Sequence, residues 1–235
     1  CHDHLTNDAA KVCYQYGGEV SCPMVITASI GATGRGIGPH HSQSIESYFL
    51  NVPGLKVVMP STPYDAKGLM KSAIRDNNPV ILFEHKRLRG TRGPVPEEEY
   101  TVPLGKADVK REGDDVTIVA TAHMLQLSLE AGKKLLEEGI SCEVVDIRTL
   151  LPLDEDTIIS SVKKTSRLVI VQESPKAYGY GAEIAAIVAE NALEYLDAPV
   201  KRVANLGTPV PATTILERAV MPGLDDIIKS VKEIT

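Results

Sequence analysis

The chain has 235 residues, 43% hydrophobic and 24% charged, the proportions of a globular protein with a full-sized core. With no Trp, two Phe and eight Tyr that core has to be aliphatic, and a net charge of −6 with a pI near 5.6 argues against a nucleic-acid binder. No apolar run approaches the roughly 18–20 residues of a membrane-spanning helix, and no short repeat or biased segment suggests collagen, coiled coil or a disordered tail.

In chain order, the opening residues read as a helix, with Leu5, Ala9, Val12 and Cys13 on one face and Tyr16 below, until Gly17-Gly18 stops it. A short strand over 24–27 leads into a glycine-dense loop, 31–38, that ends at Pro39-His40-His41-Ser42-Gln43. Residues 44–50 read as a helix, Pro53-Gly54 as a turn and 55–59 as an all-apolar strand. Ser61, Thr62 and Pro63 signal a helix start: hydroxyl caps, then a proline whose missing N–H costs nothing at the first helical position. Ala66, Leu69, Met70, Ala73 and Ile74 continue it as a buried stripe, Asp76-Asn77-Asn78-Pro79 ends it, and 80–83 is the next strand.

Residues 85–113 break the rhythm. A basic run (Lys86, Arg87, Arg89, Arg92), an acidic run (Glu97, Glu98, Glu99) and scattered Gly and Pro give the composition of an inter-domain connection. A second alternation follows, with strands at 116–120, 142–145, 168–171 and 200–203. Between and after them come a helix carrying Leu125, Leu129, Gly132 and Leu136 on one face, then helices at 154–162, 181–195 and 225–234. Short apolar strands alternating with helices predict an α/β protein of two units with mainly parallel sheets. The units divide as 1–90, a linker over 91–112, and 113–235.

Several segments invite a chemical reading. The glycine loop resembles a phosphate cradle, but it matches neither GxGxxG nor a Walker loop, so a tightly turned loop at the mouth of an active site is the better reading. Adjacent His40 and His41 cannot share a metal as an i, i+4 pair would. One of them can serve as a hydrogen-bond or proton donor, beside the plainer reading of a capping or solvent histidine. Cys1-His2-Asp3-His4 reads as a solvated helix face, Gly179-Tyr180-Gly181 as a tight strand-to-helix turn, and the basic run as a solvated linker partnered by the acids after it. Cys1, Cys13, Cys22 and Cys142 lack CxxC spacing, which predicts free thiols in a reducing compartment, taken as the cytoplasm.

One resemblance covers the whole chain. It rests on His41-Ser42-Gln43, Pro53-Gly-Leu-Lys-Val-Val58, Pro60-Ser-Thr-Pro-Tyr-Asp-Ala-Lys-Gly-Leu69, Asn78-Pro-Val80, Phe83-Glu-His85, Cys142-Glu-Val-Val-Asp-Ile-Arg-Thr149 and Gly181-Ala-Glu-Ile184. With these motifs in this order, the chain resembles the C-terminal two-thirds of the β subunit of 2-oxo acid dehydrogenase E1 components, a transketolase-like family dependent on thiamine diphosphate. The pyruvate type is nearest, with acetoin and branched-chain types beside it.

The resemblance implies that 1–90 is the C-terminal part of a pyrimidine-binding domain and 113–235 a transketolase C-terminal domain. It implies an active site shared with an E1 α subunit, which holds the cofactor diphosphate and magnesium. The β-subunit glutamate that bonds the pyrimidine falls N-terminal to Cys1. His41 matches the family's catalytic histidine, here preceded by His40 where Gln or Glu is more usual. Backbone carbonyls of Met24, Ala73, Ile74, Asp76 and Asn78 match a potassium site. The implied partners are a second β subunit, a small 2-oxo acid substrate and the lipoyl acyltransferase E2, docked in part by Glu233, Ile234 and Thr235. A non-catalytic E2-docking or assembly module is the rival expectation.

Overall fold

Runs of Val, Ile and Leu build two sheets. The computed structural model describes residues 2–235; Cys1, first of the tract that includes His2, Asp3 and His4, lies outside the described residues. The first sheet contains β1 (Val25–Ile30), β2 (Lys56–Val58), β3 (Val80–His85) and, from much later in the chain, β7 (Thr149–Leu151). Their order is β1-β3-β2-β7, with β3 parallel to both neighbours and β7 antiparallel on the edge. The second sheet contains β4 (Asp108–Arg111), β5 (Val116–Ala120), β6 (Cys142–Asp146), β8 (Leu168–Pro175) and β9 (Lys201–Asn205), in the order β4-β6-β5-β8-β9. Only the β4 edge is antiparallel there. β5 and β6 are buried at every position, as a parallel strand covered on both faces requires. The α/β class and the two mainly parallel sheets follow the expectation.

The helices are α1 (Val12–Gln15), α2 (Pro63–Ile74), α3 (Ala122–Glu137), α4 (Glu155–Thr165), α5 (Tyr180–Asn191), α6 (Thr214–Val220) and α7 (Leu224–Lys232). The Thr62 hydroxyl caps α2 by accepting the N–H of Asp65 at 3.1 Å, with Pro63 in the first turn. One aliphatic core runs between the two units: Ile30, Val57 and Phe83 pack in the same cluster as Val119, Ile147, Ile170 and Ile184.

Four local expectations need correction. Residues 44–50 hold only a 3-10 turn, Glu46–Tyr48. The 91–112 stretch carries a strand, β4, whose charged sequence hides it. Ile74 and Leu136, expected inward, are exposed; on α3 the buried face runs through Leu125, Ala131 and Leu135 instead. The acidic run does not partner the basic one: Glu99 pairs with Lys71 of α2 and with Arg75, which follows its last turn. Cys13, Cys22 and Cys142 are free thiols, and among the described residues no helix is long and apolar enough to cross a membrane.

Candidate functional site

Ile30 and His85 stand in register at the ends of parallel β1 and β3, so the loops after these strands emerge side by side at the carboxyl edge of the sheet. The glycine loop leaves β1 there and closes in a 3-10 turn, Pro39–His41, where the His41 N–H bonds the Gly38 carbonyl at 3.3 Å. His40 and His41 are both exposed, and Ser42 behind them is fully buried. The His41 ring makes no hydrogen bond to protein among the described residues, so both its nitrogens are open to a partner from outside. Beneath the turn lies a cavity of about 460 Å³ lined by Ser42, Ser44, Tyr48, Glu173 and Asn205 among others. The hydroxyls of Ser42 and Ser47 and the Oε2 atom of Glu46 are buried with no partner among the described residues, which leaves polar capacity in this segment for another molecule.

Several of the loop's own amides are already occupied. Ala32 donates its N–H to Glu173 at 2.7 Å; Gly34 and Gly36 donate to the two oxygens of Glu217, the latter at 2.6 Å. Both carboxylates come from the C-terminal half of the chain, Glu173 from β8 and Glu217 from α6, and both are buried. The cradle therefore exists, but carboxylates of the same chain hold the amides of Ala32, Gly34 and Gly36, so those three are not open to a phosphate.

Glu173 is the hub of a buried cluster. Its Oε2 atom lies 2.8 Å from His85 Nε2, and Oε1 accepts the Ser44 hydroxyl at 3.0 Å. His85 Nδ1 accepts the N–H of Arg87 at 3.2 Å, which leaves Nε2 as the nitrogen that donates to Glu173. Burial alone would raise the Glu173 carboxyl, but the bonds from His85, Ala32 and Ser44 outweigh it and hold it below the usual carboxylate range. Glu46, without enough such donors, is pushed up by burial. His123 stands over the His85 ring with centroids 5.2 Å apart; burial, then His85 and Arg87, push it down to about 4.

Neither Glu173 nor Glu217 stands out in the sequence. The available signal was the polar run Gln172-Glu173-Ser174 that closes β8 after its apolar residues 168–171, where a side chain near the carboxyl edge has to face a site or a partner.

Other expected places resolve simply. In the Gly179-Tyr180-Gly181 turn, Gln172 accepts the Gly181 N–H at 2.7 Å and fills the space a side chain at Gly179 would need. Asp3, His4 and Asp8 gather on an exposed helical face, with His4 and Asp8 hydrogen-bonded at 2.9 Å. Ala73, Ile74, Asp76 and Asn78 lie at the end of α2. The Ala73 carbonyl accepts from Asp76 at 3.3 Å and that of Met24, before β1, accepts from Val80 at 2.9 Å. Each carbonyl keeps a second lone pair, so neutral oxygens at a helix C-terminus fit a monovalent cation. The Lys56 ammonium already brings one positive charge there, on the Asp76 carboxylate.

Two parallel-sheet units sharing one core, with a polar site at the strand ends, define a transketolase-like α/β protein. Residues 4–91 match the transketolase pyrimidine-binding domain and residues 105–227 the transketolase C-terminal domain. The β subunit of an acetoin:2,6-dichlorophenolindophenol oxidoreductase from Bacillus subtilis is 45% identical over 234 residues, covering 100% of this chain and 68% of its own length. A 2-oxoisovalerate dehydrogenase β subunit of the same bacterium is 44% identical (99% and 71% covered), and a pyruvate dehydrogenase E1 β subunit of Rickettsia felis 46% (99% and 71%). Among solved structures, a split-gene transketolase described as an inactive β4 tetramer matches with a TM-score of 0.77 at 26% identity, over 99% of this chain and 71% of that one. The chain belongs to the family of 2-oxo acid dehydrogenase E1 β subunits.

Proposed function

We propose that this chain works as the β subunit of an E1 enzyme that oxidatively decarboxylates a small 2-oxo acid, pyruvate, and passes the acyl group to the lipoyl group of an E2 acyltransferase. The observation that carries the reading is the exposed His41 turn next to a cavity lined by Ser42, Ser44 and Glu173, on a glycine loop whose Ala32, Gly34 and Gly36 amides are held by carboxylates of this chain. A β chain of this design needs a partner to hold the cofactor diphosphate, and an E1 α subunit with magnesium fills that role.

Thiamine diphosphate, when bound, supplies the electron sink for decarboxylation. His41 is suited to hold or deliver a proton at either ring nitrogen, since imidazole exchanges a proton near neutral pH at little cost. Glu173 and Glu217 fix the loop that carries it, and the buried cluster behind the turn keeps water from the reacting groups. Potassium on the carbonyls of Met24, Ala73, Ile74, Asp76 and Asn78 would brace the end of α2. Pairing with a second β chain, docking of E2 on Glu233, Ile234 and Thr235, and residence in the cytoplasm belong to the same proposal. So does the division into 1–90, 91–112 and 113–235.

The test is turnover with a dye acceptor after mixing the protein with α subunit, magnesium and thiamine diphosphate, using pyruvate, 2-oxoisovalerate and acetoin in separate arms. Pyruvate is expected to be the best substrate, and His41→Ala to lower kcat by about 10²–10⁴-fold, the range of a lost proton donor. Turnover that survives His41→Ala unchanged removes the histidine from the mechanism. No turnover on any substrate favours the docking or assembly module.

A further inference from the structure

A small cavity lies where the two units meet, behind the His85–Glu173 contact. It measures about 10 Å³, room for a single water-sized particle, and its wall includes Ser44, Glu46, His85, Thr121, Glu173 and Tyr180. Glu46 is 1% exposed, and its Oε2 atom has no partner among the described residues. Ser174 and the Glu46 backbone N–H support the carboxylate, but not at that atom. The hydroxyls of the wall cannot answer it. Ser44 gives its one hydrogen to Glu173 at 3.0 Å, Thr121 to the Met59 carbonyl at 2.9 Å and Tyr180 to the Val171 carbonyl at 2.9 Å. Each has only lone pairs left to offer the cavity. Glu173 is served by Ala32, Ser44 and His85, and His85 accepts from Arg87 through Nδ1, as a neutral imidazole does. Five oxygens therefore gather around a carboxylate without a counter-charge.

We infer that this cavity binds one unhydrated monovalent cation, Na⁺ or K⁺, on the oxygens of Glu46, Glu173, Ser44, Thr121 and Tyr180. A water molecule would bring hydrogens to these oxygens but no charge, and an ionised carboxylate buried without a counter-charge is among the costliest groups in a protein interior. Divalent ions suit the cavity less well. Mg²⁺ keeps several of its waters, for which there is no room, and Ca²⁺ takes about 6–8 oxygens. Because three donors already serve Glu173, Glu46 is the charge left to balance, and one positive charge balances it. The site shares no residue with the carbonyls at the end of α2, and the inference does not rest on the proposed dehydrogenase activity.

The test is thermal unfolding of the intact protein at mildly alkaline pH in NaCl, in KCl and, at equal ionic strength, in N-methylglucamine chloride, whose cation is too large for the cavity. Na⁺ or K⁺ is expected to raise Tm by about 2–4 °C over the large cation, with a saturating dependence on concentration. The ion that saturates lower is the one the cavity prefers. Glu46→Gln, which keeps the shape and drops the charge, is expected to cut the rise at least about twofold. Tyr180→Phe, which keeps the ring and removes one oxygen, is expected to raise the half-saturating concentration about tenfold. Equal Tm values in the three salts assign the cavity to water and overturn the inference. A rise of the same size in Glu46→Gln belongs to another place, such as the carbonyls at the end of α2, and overturns it as well. If Glu46→Gln does not fold, Tyr180→Phe decides: an unchanged half-saturating concentration sinks the site.

Discussion

His85 and Glu173 lie 88 residues apart in sequence and 2.8 Å apart in space, and both side chains are buried. One ends β3 of the first sheet and the other belongs to β8 of the second, so this single contact joins the two units beneath the candidate site. When this buried carboxylate becomes an amide, the bonds from Ala32 and Ser44 to Oε1 lose their charge assistance, and an NH2 group that cannot accept replaces the oxygen facing His85 Nε2. Glu173→Gln is therefore expected to destabilise the protein by about 3 kcal/mol in urea unfolding. His85→Ala made on top of it should cost at least about 1 kcal/mol less than His85→Ala alone. Strict additivity of the two substitutions would show that the contact contributes nothing.

Glu217 acts more locally. Its two oxygens hold the amides of Gly34 and Gly36 and little of the core depends on it, so its loss frees the loop without unfolding the sheets. Glu217→Ala should speed hydrogen exchange at those two amides by at least about tenfold while the Val116–Ala120 amides of β5 keep their rates. Unchanged exchange at Gly34 and Gly36 would mean that the loop is held by something other than Glu217.

The same loop allows a comparison between two glycines of positive φ. At Gly36, φ is +67°, and an added Cβ would meet the Ala212 carbonyl oxygen at 2.8 Å and backbone of Thr213 at 2.9 Å. At Gly139, after α3, φ is +88° and nothing lies within 4 Å. Gly139→Ala is expected to cost only the conformational penalty, about 1 kcal/mol, and Gly36→Ala roughly 1–2 kcal/mol more because backbone has to move. Equal changes in Tm would show that the loop gives way freely, and would weaken the case for a rigid mount under His41.

The parallel sheets are legible in the sequence because each strand is a short apolar run: Val116–Ala120 is buried throughout and reads so. Thr62 and Pro63 announce α2 for an equally local reason. β4 and β7 are not legible. Asp108–Arg111 is mostly charged and Thr149–Leu151 is three residues long, so neither carries a period, and each owes its strand form to a neighbour in the sheet. The site divides in the same way. The His41 motif is continuous in sequence, whereas the clamp on its loop joins residues 141 and 181 positions apart, which no local pattern encodes. The basic run reads as a solvated linker because composition cannot show that Arg35 and Arg218 meet it across one cavity.

Asp146 gives the clearest pH dependence. It is fully buried at the end of β6, with Oδ1 accepting from Ser61 at 3.0 Å and from the N–H of Arg148 at 3.2 Å, and Oδ2 unpartnered. Burial first, then the charge of Asp65, push its carboxyl up to about 7, against the opposing pull of Lys110, Ser61 and the Arg148 N–H. Between its ordinary value of 3.8 and about 7 the folded protein keeps a proton here that the unfolded chain has released. Stability contributed at this site is therefore complete below the lower value and lost as pH rises through the upper one. The full span corresponds to roughly 4 kcal/mol. Asp146→Asn cannot titrate. Its amide preserves the Oδ1 acceptor and places a donor where Oδ2 had no partner, an offset that is the same at every pH. The stability of Asp146→Asn relative to the parent should then climb between about pH 4 and pH 7.5 and level off beyond, since the other shifted carboxylates, Asp65 and Glu173 among them, titrate in both proteins. Parallel pH profiles for the two proteins, measured by urea unfolding, would show that Asp146 is ionised in the folded state across this range and that its burial is compensated by contacts other than those described.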